Sequence, residues 1–214
     1  MSFSFISLTI LCAISLFLLI ITNNKDDNYY YYIFKPLTII LTIIFSFFSE
    51  NIAYNPFSQY ILLGLLFSFL GDVFLMQGKK EFLFGMVAFF FAHIFYIIAF
   101  NIPEMKFNIF LYGIIFIISL SYYIFLFPSL DNLKIPVFLY TNVIGLMLYY
   151  AISFYLINDN ILGELIILGA ILFTISDMIL AIRQFKDSFP FSSQLVYLTY
   201  FPAQFLFALT IWIN

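Results

Sequence analysis

The chain of 214 residues is 64% hydrophobic and only 9% charged, with a formal net charge of −3 and a mean hydropathy of +1.09. A soluble domain carries roughly 25% charged residues, so the surface of this one faces lipid, and no nucleic-acid partner is expected. A single cysteine, Cys12, excludes an internal disulfide and any cysteine-based metal cluster; a single histidine, His93, excludes sites built from two or three imidazoles, the zinc hydrolases among them.

A bilayer core takes about 20 apolar residues per helix, and lipid tolerates no unpaired backbone. On that rule the chain reads as an all-α polytopic membrane bundle of about eight helices, one transmembrane domain over residues 1–214. The first span, near 2–22, lacks a basic n-region and a clear cleavage site, so it reads as a retained helix rather than a signal peptide. After the polar run Asn23 to Asp27, the tyrosines Tyr29 to Tyr32 fit an interfacial aromatic belt, and a second span near 33–49 places Pro36 in its first turn. Glu50 and Asn51 precede a third span near 57–77. Gln77, Gly78, Lys79, Lys80 and Glu81 separate it from a fourth near 82–101. Spans near 107–127 and 135–156 follow, the latter with Pro136 in its first turn. Asn158, Asp159 and Asn160 lead into a seventh near 161–183, and residues 186–190 into an eighth near 191–213. No linker is long enough for a second domain.

The basic residues predict orientation. Lys25, Lys35, Lys79, Lys80, Lys134, Arg183 and Lys186 lie on the side of the odd-numbered loops, and only Lys106 lies opposite. The odd-numbered loops are therefore expected to be cytoplasmic, with both termini across the membrane, which in a bacterium would be the cell membrane. A possible parallel four-helix repeat relates the third and seventh spans: Gly64, Asp72 and Leu75 recur at the spacing of Gly169, Asp177 and Leu180.

Ionisable groups inside spans mark function by default. Asp72 shares a helical face with Ser68 and Gly64, Asp177 lies near Gly169, Ala170 and Ala181, and His93 shares a face with Gly85 and Tyr96, so all three look into the bundle. At about 1.5 Å per residue both aspartates lie roughly 7–10 Å inside the cytoplasmic boundary and His93 roughly 16 Å. Lys35, Tyr140 and Tyr200 fall in the same half, so six polar residues from six helices converge. Each also has a plainer reading. A buried Asp or His can simply bridge helices, Lys35 can snorkel, and Tyr140, Tyr200 and Gln204 can be packing residues with satisfied tips. Lys79, Lys80, Arg183 and Lys186 can be orientation determinants alone.

At these residues the sequence resembles the YhhN family of membrane proteins. The matching stretches are Lys35-Pro36-Leu37, Gly71-Asp72-Val73-Phe74-Leu75-Met76, Phe84-Gly85, His93-Ile94-Phe95-Tyr96, Pro136 with Tyr140, Gly169 to Phe173 running into Ser176-Asp177, Ala181, Phe185, Tyr200 and Gln204. They run in order over nearly the whole chain. Characterised members are lysoplasmalogenases, which hydrolyse the vinyl ether bond of lysoplasmalogens to a fatty aldehyde and a glycerophospho-base. The resemblance implies Asp72 and Asp177 as the catalytic pair, a lysophospholipid substrate, and neither cofactor nor metal.

The chemistry suits the residues. A vinyl ether is stable to base and labile to acid, so cleavage needs a proton donor and a negative group to face the oxocarbenium ion. Two carboxyls in different surroundings divide such roles in glycoside hydrolysis. His93, Tyr96, Tyr140, Tyr200 and Gln204 are supporting polar groups, and Lys35 with Arg183 could face the substrate phosphate. Inward carboxylates and a histidine also describe a proton-coupled carrier, and a membrane scaffold is a third possibility.

Overall fold

Asparagine starts three of the long helices. The side chain of Asn55 accepts from the Phe57 amide, that of Asn108 from the Phe110 and Leu111 amides, and that of Asn160 from the Gly163 amide. Each satisfies backbone donors that the first turn leaves unpaired. The structure, a computed structural model, describes residues 3–22, 29–78 and 81–214. The described residues form α1 (Phe3–Thr22), α2 (Tyr29–Phe47), a single turn α3 (Asn51–Tyr54), α4 (Pro56–Met76), α5 (Phe82–Phe100), α6 (Ile109–Leu126), α7 (Lys134–Ile157), α8 (Ile161–Phe185) and α9 (Ser192–Ile213). All but α3 belong to the eight segments long and apolar enough to cross a membrane, and the protein is a multi-pass membrane bundle.

Two expectations change. α2 starts at Tyr29, because the tyrosine run is helical, so Pro36 lies inside the helix rather than in its first turn. There the missing N–H frees the Tyr32 carbonyl, and Lys35 is lifted from the helix opening into its buried part. The connection between α6 and α7 is not a plain loop but two 3-10 turns, Phe127–Ser129 and Asp131–Leu133. Pro136 does fall in the first turn of α7. Of the residues used for orientation, Lys25, Lys79 and Lys80 lie outside the described residues.

The packing repeats itself. α4 lies most extensively on α5, and α8 on α9; α1 leans on α2 as α6 leans on α7. α2 touches α4 and α9, while α7 touches α8 and α5. Matched glycines allow matched approaches: a Cβ on Gly64 would collide with the Tyr96 ring, and one on Gly169 would sit 2.6 Å from the Phe207 ring. Each last helix stays with its own half and also touches the other, α5 against α7 and α9 against α2 and α4, across a common centre. α1 and α2 meet through small polar groups, with the Ser15 and Thr38 hydroxyls 2.8 Å apart. At the end opposite Lys35, α9 is tied back by the Trp212 indole N–H to the Phe45 carbonyl at 3.2 Å and by the Asn51 amide to the Ile211 carbonyl at 2.9 Å. The outer faces of α1 and α6 expose Ile10, Ile14, Phe17, Ile114, Ile117 and Ile118, the apolar coat that lipid requires.

Candidate active site

The first carboxyl sits on α4, whose inner stripe of Gly64, Ser68, Gly71 and Asp72 is buried. Small side chains let α5 come close; a Cβ on Gly71 would lie 2.5 Å from the Phe89 ring. Lys35 of α2 reaches Asp72, Nζ to Oδ1 at 3.0 Å, and both side chains are buried. The same ammonium donates to the Tyr31 hydroxyl at 3.4 Å, one helical turn back. Asp72 Oδ2 is buried and has no hydrogen-bond partner among the described residues. Tyr200 of α9 lies near enough to interact with Asp72, and its hydroxyl meets the Ser68 carbonyl at 3.5 Å.

The second carboxyl, on α8, has different company. The Tyr140 hydroxyl of α7 donates to Asp177 Oδ2 at 2.8 Å, and Nε2 of His93, from α5, stands 3.4 Å from the same oxygen. His93 is fully buried, its ring 4.6 Å from that of Phe173 between centroids, and its Nδ1 is 2.6 Å from the Phe89 carbonyl one turn earlier on its own helix. The two aspartates lie close enough for their charges to interact. Tyr140 precedes Asp177 at the same spacing along the chain as Lys35 precedes Asp72, so the repeat places a cation beside one carboxyl and a phenol beside the other.

Residue spacing alone leaves His93 deeper than the aspartates, yet the side chains meet. Side chains on a helix lean toward its N-terminus. α5 and α8 run in opposite directions, so His93 leans toward the Lys35 end while Asp177 leans away from it, and the gap closes. Tyr96 and Gln204 do not reach the carboxyls. They form a chain across the centre instead: the Tyr96 hydroxyl donates to Gln204 Oε1 at 2.7 Å, and Gln204 Nε2 donates to Ser68 Oγ at 3.3 Å. Ser68, Tyr31 and the Phe89 carbonyl are participants that sequence reading missed. Each lies four residues before Asp72, Lys35 or His93, the interval at which helical neighbours stack.

Two cavities adjoin this cluster. One, about 460 Å³, is a polar vestibule lined by Lys35, Arg183, Tyr31, Gln184, Ser193 and Tyr197. Arg183 in its wall has a buried Nε with no hydrogen-bond partner among the described residues. The other, about 100 Å³, is almost wholly apolar, lies among α5, α6, α7 and α8, and has Asp177 and Tyr140 in its wall. Leu75, Phe82 and Leu180 line both, so only a thin apolar partition separates them. Lys134 and Lys186 stand apart, each ammonium over a phenylalanine ring at 4.5 and 4.3 Å from the centroids of Phe127 and Phe125.

A family model, that of the YhhN family, matches residues 30–211. Among curated proteins, lysoplasmalogenase TMEM86A of Bos taurus is 33% identical over 169 residues, 73% of this chain and 66% of the bovine protein. The chain thus spans just under two thirds of the length of that relative. No solved structure matches.

Proposed function

The chain belongs to the YhhN family, and from that premise we propose that it is a membrane lysoplasmalogenase, a hydrolase of the vinyl ether bond in alkenyl glycerophospho-bases. The observation that carries the reading is the unequal pairing of two buried carboxyls in one site, Asp72 with a lysine ammonium and Asp177 with a phenol and an imidazole. Acid-catalysed cleavage of a vinyl ether requires that inequality, since one group must give a proton while the other keeps a negative charge toward the cation that forms. The name of the bovine relative points to the same bond.

The surroundings fit an amphipathic substrate. The headgroup phosphate lies in the vestibule, where Lys35 and Arg183 in its wall can meet it. The alkenyl chain lies toward the apolar cavity with Asp177 in its wall, so the ether linkage, between headgroup and chain, falls near the carboxyls. Tyr200 steadies Asp72, and Tyr96 with Gln204 and Ser68 ties α4, the helix of Asp72, to α9 and α5. We place the vestibule at the cytoplasmic face, from Lys35, Lys134, Arg183 and Lys186 at this end against Lys106 at the other.

Beyond the site, Tyr96, Phe100, Phe173 and Phe207 are fully buried against one another, which speaks against a polar route to the far end and so for the enzyme over a proton-coupled carrier. The test is aldehyde release by purified protein from a vinyl ether lysolipid beside its alkyl ether and ester analogues. Cleavage of the vinyl ether alone is expected, with Asp72→Asn and Asp177→Asn each lowering the rate at least about a hundredfold. Aldehyde release by both Asn variants at the parent rate refutes the assignment, and lysolipid flux into proteoliposomes without product favours the carrier.

A further inference from the structure

His93 is buried, central and without a settled task. Its Nδ1 lies 2.6 Å from the Phe89 carbonyl. A carbonyl oxygen only accepts, so Nδ1 carries the hydrogen and Nε2 of a neutral ring is a bare lone pair. Nε2 stands 3.4 Å from Asp177 Oδ2 without forming an aligned hydrogen bond to it, and it has no other partner among the described residues. Two acceptors this close at a buried position repel unless a proton lies between them. Tyr140 cannot bridge them, because its hydroxyl hydrogen already goes to Oδ2.

We propose that His93 Nε2 and Asp177 Oδ2 hold one proton between them, that Asp177 is the catalytic acid, and that His93 is the positioning residue that keeps the proton at that oxygen and takes it back. The chemical consequence rests on the lysoplasmalogenase reading; the shared proton does not.

The other groups around the pair agree with this division. From α4, Asp72 acts on Asp177 only through space, and its charge is matched by Lys35 from α2. From α6, Tyr122 gives its hydroxyl hydrogen to the Met178 carbonyl at 2.6 Å. From α9, Tyr200 lies nearer Asp72, and from α5 itself Tyr96 is committed to Gln204. Among the described residues the one ion pair at Asp177 is therefore with His93, whereas Asp72 has a fixed cation. Asp72 remains the carboxylate that faces positive charge.

The step balances. The Asp177 O–H breaks, the alkene π pair forms a C–H bond at the carbon β to the ether oxygen, and an oxygen lone pair completes the oxocarbenium ion. Water adds to the α-carbon and its surplus proton returns to the Asp177–His93 pair. In the resulting hemiacetal the hydroxyl hydrogen passes to the glycerol oxygen as the C–O bond breaks and the aldehyde C=O forms. One water is consumed, and the pair ends in the state in which it began.

Because the chain has one histidine, ¹⁵N-histidine labelling reads the site alone. In nanodiscs the parent protein is expected to show a protonated Nδ1 and a hydrogen-bonded Nε2. Asp177→Asn should move the Nε2 resonance and Asp72→Asn should leave it in place. A hydrogen on Nε2 with a bare Nδ1, or an Nε2 signal indifferent to Asp177→Asn, overturns the proposal. In turnover, His93→Gln, which fills the space but cannot take up the proton, is expected to lower kcat about tenfold with KM within about twofold. An unchanged kcat in that variant also overturns it. If the NMR pattern is present but no vinyl ether is cleaved, the functional reading fails and the shared proton stands. If cleavage is present without the pattern, the reverse holds.

Discussion

Replacing Lys35 with methionine keeps most of the apolar stem and removes the only counter-ion that Asp72 contacts among the described residues. The two side chains are 9% and 3% exposed and 3.0 Å apart, so loss of the ammonium leaves a buried carboxylate poorly solvated. Removing one member of a buried pair typically costs about 3–5 kcal/mol, because the partner is left charged in a poor solvent. Tyr200 lies close enough to turn its hydroxyl from the Ser68 carbonyl to the carboxylate, and a hydrogen bond to a charged group offsets roughly 1.5 kcal/mol of that. The expected loss for Lys35→Met is thus roughly 1.5–3.5 kcal/mol. In Lys35→Met/Asp72→Asn no charge remains to strand, and the double variant should be more stable than Lys35→Met alone. Unfolding in mixed micelles by added SDS, followed through the single tryptophan Trp212, measures all four corners of the cycle. Losses that add to within about 0.5 kcal/mol show that the pair is not coupled and refute the reasoning.

Gly64→Val forces the Tyr96 ring aside and should cost about 1–3 kcal/mol in the same titration, with loss of the Tyr96–Gln204 bond. Tyr96→Phe leaves the fully buried Gln204 Oε1 without its donor and is expected to cost about 1–3 kcal/mol; a variant as stable as the parent contradicts the central chain of bonds. Arg183→Met should raise KM for a lysolipid roughly tenfold with little change in kcat, and a selective fall in kcat would move Arg183 from the phosphate to the reaction. Tyr140→Phe should lower kcat about tenfold while costing only about 1 kcal/mol of stability, measured by substrate titration beside unfolding.

The spans were legible because a bilayer demands long apolar runs, and Asn160, read in a break, is where a helix start needs a side-chain acceptor; Asn108, read inside the fifth span, turns out to cap it. The inward direction of Asp72, Asp177 and His93 was legible from helical faces bearing glycine and serine. What spacing along single helices does not contain is the pairing between helices. That Lys35 belongs to Asp72 and Tyr140 to Asp177 depends on which helices touch, and the two tyrosine-rich ends offer several equal candidates. Pro36 misled the reading of α2 for a physical reason: proline suits a first turn, but a membrane helix tolerates it further in, where neighbouring helices hold the segment. Residue counts set His93 deeper than Asp177 and did not show that the two side chains meet, because counts follow the backbone and ignore the lean of side chains toward helix N-termini. Arg183 was already named in the sequence as a phosphate candidate beside Lys35, whereas the cavity that the two line together is visible only in three dimensions.

The position of α5 and α9, each touching both halves, has a consequence for how the site can be taken apart. Each half supplies its own aspartate with one neighbour, Lys35 for Asp72 and Tyr140 for Asp177. The other contacts cross over: His93 belongs to the first half and serves Asp177 in the second, while Gln204 and Tyr200 belong to the second and reach Ser68 in the first. A polypeptide cut in the connection between α5 and α6 would yield two fragments, each with a carboxyl and neither with a complete site. Restoration of the site by mixing them would then report directly on the seam between the halves, because reassembly and competence are the same event.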